Sequence, residues 1–129
     1  MEMRELYKFK NPNPKGLFTG DCVPRALSVV LNCSWDEAYM KLMVYGFREK
    51  MMPSANFIHD KLLQENGFIR FTACSECYTV REFTEKYASG VYLLGTGNHV
   101  VGVINGDYYD SFDSGDEYVV WIYEKRRIT

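Results

Sequence analysis

His99-Val100-Val101-Gly102-Val103-Ile104-Asn105-Gly106-Asp107-Tyr108-Tyr109-Asp110-Ser111-Phe112 reads as two strands around a tight turn. Asn-Gly readily takes positive φ at both central positions of a two-residue hairpin loop, so strands are expected over His99–Ile104 and Asp107–Phe112. The loop sets the pairing: Ile104 faces Asp107, Val101 faces Asp110 and His99 faces Phe112. Opposed residues share a face. His99 and Asp110 are then diagonal neighbours about 7–8 Å apart at their backbones, a gap an imidazole and a carboxylate can close. A one-residue bulge at Gly106 would bring Asp113 to the His99 face instead. Asp113-Ser114-Gly115-Asp116 reads as a polar loop, so Asp110 is the preferred partner and Asp113 the alternative acid.

Outward from the hairpin, Val91–Leu94 is a short apolar strand closed by Gly95-Thr96-Gly97. Tyr118–Tyr123 is a further strand, with Val119 and Trp121 expected on one face. Upstream the period becomes helical. Val23, Ala26, Leu27 and Val30 form an i, i+3, i+4, i+7 stripe on a helix from Asp21 to Leu31. Ser34 and Glu37 have capping-box spacing and open a second helix, with Trp35, Ala38, Tyr39 and Leu42 inward and Gly46 as its stop. A third helix is expected over Ser54–Asn66, with Ile58 and Leu62 inward, and Phe68–Thr72 follows as a strand. Thr79 and Glu82 cap a fourth helix carrying Val80, Phe83 and Tyr87 on one face, and residues 5–18 read as extended. Helices first and an antiparallel sheet later define an α+β fold, expected as one domain over residues 1–129.

With 47% hydrophobic and 25% charged residues the chain has the composition of a globular protein. A formal net charge of -2 argues against nucleic-acid binding by bulk electrostatics, and Lys125-Arg126-Arg127 is expected to be a solvated tail. The N-terminus lacks the pattern of a signal peptide, and no apolar run approaches the roughly 18 residues of a membrane span. A cytoplasmic location is therefore expected, with no nucleic-acid or membrane partner and with Cys22, Cys33, Cys74 and Cys77 reduced. Cys74 and Cys77 form a lone CxxC. A zinc site would need two further ligands of comparable spacing, and Cys22 and Cys33 stand eleven apart. Gly95-Thr96-Gly97 opens no helix and so is not a phosphate loop. No metal and no cofactor are expected.

The chemistry begins at Thr19-Gly20-Asp21-Cys22-Val23-Pro24. Gly20 and Asp21 read as a turn ending in a helix cap, and Pro24 is tolerated in a first helical turn. Cys22 then sits at the positive end of a helix dipole, which favours the thiolate. His99 is a candidate base for it and Asp110 a candidate orienter of the imidazole. His59, in the middle of the third helix, is expected at the surface or in packing. Phe18 and Phe112 are candidates to wall a substrate cleft.

A Cys at a helix mouth, a His at a strand start and an Asp on the next strand, in that order, resembles the papain-like cysteine peptidases. The short motifs Thr19-Gly20-Asp21-Cys22, Asn98-His99-Val100-Val101 and Tyr109-Asp110 carry the likeness. The compact pattern looks most like the bacteriocin-processing peptidase domains and small phage-type relatives. The resemblance implies a peptide or isopeptide hydrolase with a Cys22–His99–Asp110 triad and a protein or peptide substrate. Related readings are an acyltransferase using the same residues, or a binding module of the same fold without activity. The family places a Gln six residues before the Cys to complete the oxyanion hole, and here that position is Gly16. Thr19, Asn13 and Asn11 are the candidate substitutes.

Overall fold

The computed structural model describes residues 5–74 and 76–126. Met1–Arg4, Ser75 and Arg127–Thr129 lie outside these. The chain order is β1 (Tyr7–Phe9), α1 (Cys22–Val30), α2 (Trp35–Glu49), α3 (Asn56–Glu65), β2 (Phe68–Thr72), α4 (Val80–Lys86), β3 (Val91–Gly95), β4 (Val100–Ile104), β5 (Asp107–Asp110) and β6 (Trp121–Lys125). The fold is α+β. Its six-stranded sheet runs β1-β5-β4-β3-β6-β2.

The β4–β5 hairpin has the expected register, with Ile104 opposite Asp107 and Val103 opposite Tyr108. Asn105 and Gly106 both adopt positive φ, 47° and 81°, as a twist-matched two-residue turn requires. The sheet is mixed and not purely antiparallel, because β1 adds to the edge parallel to β5, Tyr7 beside Tyr108. The N-terminal extended segment thus covers an edge that the hairpin would leave open.

Strand alternation divides the core. Leu93 and Tyr123 pack with α1, α2 and α3 on one face. Tyr92, Leu94, Val101 and Val103 pack with Val80 and Phe83 of α4 on the other. Val119 belongs to the α4 side, whereas Trp121 packs against the α1 side, so the two do not share a face. The Val120 N–H donates to Gly95 O while Trp121 is the register partner of Gly95. Two residues therefore meet one across this edge, and the alternation slips.

The helices differ from the sequence expectation at three places. α1 is buried nearly all round, Arg25 and Ser28 included, and not along a single stripe. α2 runs past Gly46 to Glu49 and ends on Lys50 in the left-handed region. Gly46 is needed for a different reason: a Cβ there would meet Met51 O at 2.8 Å as the chain folds back. Tyr39 is exposed, stacked on Trp35 with ring centroids 5.0 Å apart. Both expected capping boxes form, Ser34 with Glu37 and Thr79 with Glu82.

Cys74 and Cys77 are joined in a disulfide, which corrects the expectation of two free thiols. A tight turn, closed by the Cys77 N–H on Cys74 O at 3.3 Å, brings their Cα atoms to 5.5 Å, within bonding range. Cys22 and Cys33 are free. Lys125 ends β6, and Arg126 pairs with Glu124 at 3.1 Å and donates its N–H to Gly67 O, so this part of the basic cluster is anchored. Among the described residues no helix is long and apolar enough to cross a membrane, and no group of three or more His, Cys, Asp or Glu could hold a metal ion.

Candidate functional site

Gly102 decides how closely α1 approaches the sheet. A Cβ at that position would lie 2.8 Å from Val29 Cγ1, so only glycine lets the helix seat on β4. Seated there, α1 presents its first residue, Cys22, to the residues that open β4. Cys22, His99 and Val100 line one cleft, where the His99 side chain and the Val100 backbone both act on the Cys22 thiol.

The far side of the imidazole is fixed by β5. His99 Nε2 lies 2.6 Å from Asp110 Oδ2, the pairing expected from the hairpin. With Nε2 engaged, Nδ1 is the nitrogen left for the thiol. Asp110 is 1% exposed. Its carboxylate also accepts from the Ser114 hydroxyl at 2.8 Å, from the Ser111 N–H at 2.8 Å and from Arg25 Nε at 3.3 Å. A carboxylate held from so many sides holds the ring in one orientation.

Arg25 continues the chain of contacts. It is 4% exposed and reaches Asp21 Oδ1 through Nη1 at 2.7 Å. Asp21 also accepts from the Trp35 indole at 2.9 Å and from Asn13 Nδ2 at 3.5 Å. Asp21 holds the N-cap position but makes no side-chain capping bond, because Arg25, one turn on, claims the carboxylate. The path of contacts is thus Asp21–Arg25–Asp110–His99, with Cys22 beside His99 in the cleft.

The electrostatics follow from this path. Burial pushes the Cys22 thiol up, but the His99 side chain, the Val100 backbone and the Arg25 charge outweigh it and leave the pKa lowered. Burial pushes His99 down, and Asp110 and Cys22 more than reverse that, to about 9. The two shifts agree in sense: each group favours the charged form of the other. The pair of shifts favours a thiolate–imidazolium arrangement over a neutral one.

The remaining sequence candidates lie elsewhere. Asp113 accepts from the Tyr108 hydroxyl at 2.5 Å and pairs with Arg81 at 3.4 Å, away from His99. Asn11 and Asn13 pin their own loop: Asn11 Nδ2 donates to Leu17 O at 3.0 Å, and Asn13 Oδ1 accepts from the Lys15 N–H at 2.9 Å. Thr19 is exposed in the bend before Asp21. None of these three lines the cleft of about 390 Å³ that opens beside Cys22. Phe112 lies with its ring 5.0 Å from that of His99, and Phe18 is 71% exposed; the cleft is walled by other residues.

Sequence reading passed over Arg25 and Ser114. Asp21 and Arg25 stand at i, i+4, which is a legible helix pair, but nothing local shows that Arg25 also reaches β5. Ser114 had no signal beyond its polar loop. His59 proves buried, 6% exposed, on the wall of the cleft, and burial lowers its pKa.

No family model, no curated protein and no solved structure matches the chain. The chemistry therefore rests on the geometry of these residues.

Proposed function

We propose that the protein is a papain-like cysteine hydrolase acting on a peptide or isopeptide bond, with Cys22 as nucleophile, His99 as general acid and base, and Asp110 as the group that orients His99. The observation that carries the reading is one imidazole held by a buried carboxylate in the cleft that a thiol at a helix start also lines. The lowered thiol pKa makes the nucleophile easier to deprotonate, and the raised imidazole pKa favours a charged acid.

The thiolate would attack the acyl carbon, forming the C–S bond as the carbonyl π pair moves onto oxygen. The first α-helical hydrogen bond runs from the Arg25 N–H to Asp21 O. The N–H groups of Cys22 and Val23 precede it, and Pro24 has none, so these two are donors suited to the developing oxyanion. Collapse expels the amine, which takes its proton from the His99 imidazolium. Water, deprotonated by the neutral imidazole, then hydrolyses the thioester and restores the thiol pair.

Incubation with a proteome-derived peptide library, with new termini mapped by mass spectrometry, tests the reading. Termini produced by the native chain and lost in Cys22→Ala and His99→Ala are expected. A library indistinguishable from that of Cys22→Ala contradicts it.

A further inference from the structure

The cleft beside Cys22 has a second, chemically distinct wall. Arg70 of β2 faces it, with its guanidinium carbon 4.0 Å from the centroid of the Trp121 ring, which also lines the cleft. Trp121 can occupy that place because β3 offers Gly95 beneath it; a Cβ there would meet Trp121 Cδ1 at 3.0 Å. Stacking on an indole fixes the plane of a guanidinium while leaving its N–H edges free.

The charge of Arg70 is poorly answered from within. Asp60 is its acidic partner, through one nitrogen at 3.4 Å. Asp60 Oδ1 is already bound by the Tyr123 hydroxyl at 2.7 Å, and Oδ2 by Gln64 at 2.8 Å. The other N–H groups of Arg70 have no partner among the described residues. His59 adds an independent sign that this wall is incomplete. It lines the same cleft, is 6% exposed, and its Nδ1 is buried without a hydrogen-bond partner. Orphaned buried polar atoms of this kind call for a bound group or an ordered water.

We propose that the Arg70–Trp121 wall is a subsite for a substrate carboxylate, placed in the same cleft as Cys22. A planar fork held on an indole matches a carboxylate in two parallel hydrogen bonds. The substrate class is therefore a peptide bearing an acidic side chain or a free terminal carboxylate next to the bond presented to Cys22. The proposal rests on the reading of Cys22 as the reactive nucleophile.

Charged and neutral alkylating agents test it on the full chain, without knowledge of the substrate. Iodoacetate and iodoacetamide rates at Cys22 are measured by mass-spectrometric mapping in the native chain, Arg70→Gln and Arg70→Lys. Arg70→Gln should lower the iodoacetate-to-iodoacetamide ratio roughly three- to tenfold, and Arg70→Lys by less, since the charge persists without the fork. An unchanged ratio in Arg70→Gln overturns the subsite. If Arg70→Gln misfolds, protection of native Cys22 from iodoacetamide decides. Amidated alanine peptides with one glutamate, and the same alanine peptides with a free C-terminus, are compared with amidated, uncharged ones. Protection by the glutamate peptide assigns the subsite to a side chain, and protection by the free acid assigns it to a terminus. Equal protection by the uncharged peptide overturns it. An iodoacetamide rate indifferent to His99→Ala would be a failure of the nucleophile reading and not of the subsite.

Discussion

At the residue scale the site depends on a side chain that takes no part in bond making. Arg25 is the cation between two buried carboxylates, Asp21 and Asp110. Removing it leaves both anions buried without it, and stranding buried charge of this kind costs about 3–5 kcal/mol. Arg25→Met should therefore lower the midpoint of thermal unfolding by about 10 °C or more in a chain of this size. Arg25→Lys keeps the charge but not the fork that reaches both acids, and its midpoint should fall in between. A midpoint for Arg25→Met within about 2 °C of native would show that the carboxylates find other partners. The pairing of His99 with Asp110 was legible in the sequence because the Asn105-Gly106 turn dictates a register, and register dictates faces. The link from Arg25 to Asp110 was not, since it joins a helix to a strand far along the chain.

At the scale of elements, the seating of α1 on β4 converts a hairpin with a histidine into a site with a thiol. Gly102 permits it. Gly102→Ala places a methyl against Val29, and overpacking of that kind costs about 1–3 kcal/mol. The strain can be relieved only by lifting α1, which carries Cys22 at its start. Gly102→Ala should thus slow Cys22 alkylation at pH 7 in a chain that still folds, as circular dichroism would check. Retention of the native alkylation rate would mean that α1 is not placed by this contact. The helix caps at Ser34 and Thr79 were readable because capping boxes are local chemistry. The burial of α1 on all sides was not. The stripe of Val23, Ala26, Leu27 and Val30 is only part of the covered surface: Val29, outside it, meets Gly102 of β4, Arg25 reaches Asp110 of β5, and α2 packs on α1 as well. Gly46 misled for a similar reason: its missing side chain serves a close approach by Met51 and Pro53, not a helix stop.

For the whole molecule, the sequence conveyed the order of elements and the α+β class, because the hydrophobic period changes at Val91. It did not convey the strand order. Parallel addition of β1 beside β5, and antiparallel addition of β2 beside β6 at the opposite edge, join segments from distant parts of the chain. That topology matters for function. β2 and β6 carry Arg70 and Trp121, and placing them beyond β3 puts both in the cleft that Cys22 and His99 share. The account as a whole stands on one electrostatic proposal, a thiolate–imidazolium pair at the head of α1. The pH dependence of Cys22 alkylation by iodoacetamide tests it most directly. Below the lowered Cys22 pKa the thiol is protonated and slow. Above it the ion pair reacts, and a second rise should appear near 9 as His99 loses its proton and releases a free thiolate. His99→Ala should abolish the low-pH limb and leave one transition at or above the ~8.5 of an ordinary cysteine. A native profile with a single transition at ~8.5 or higher, unchanged by His99→Ala, would contradict the account.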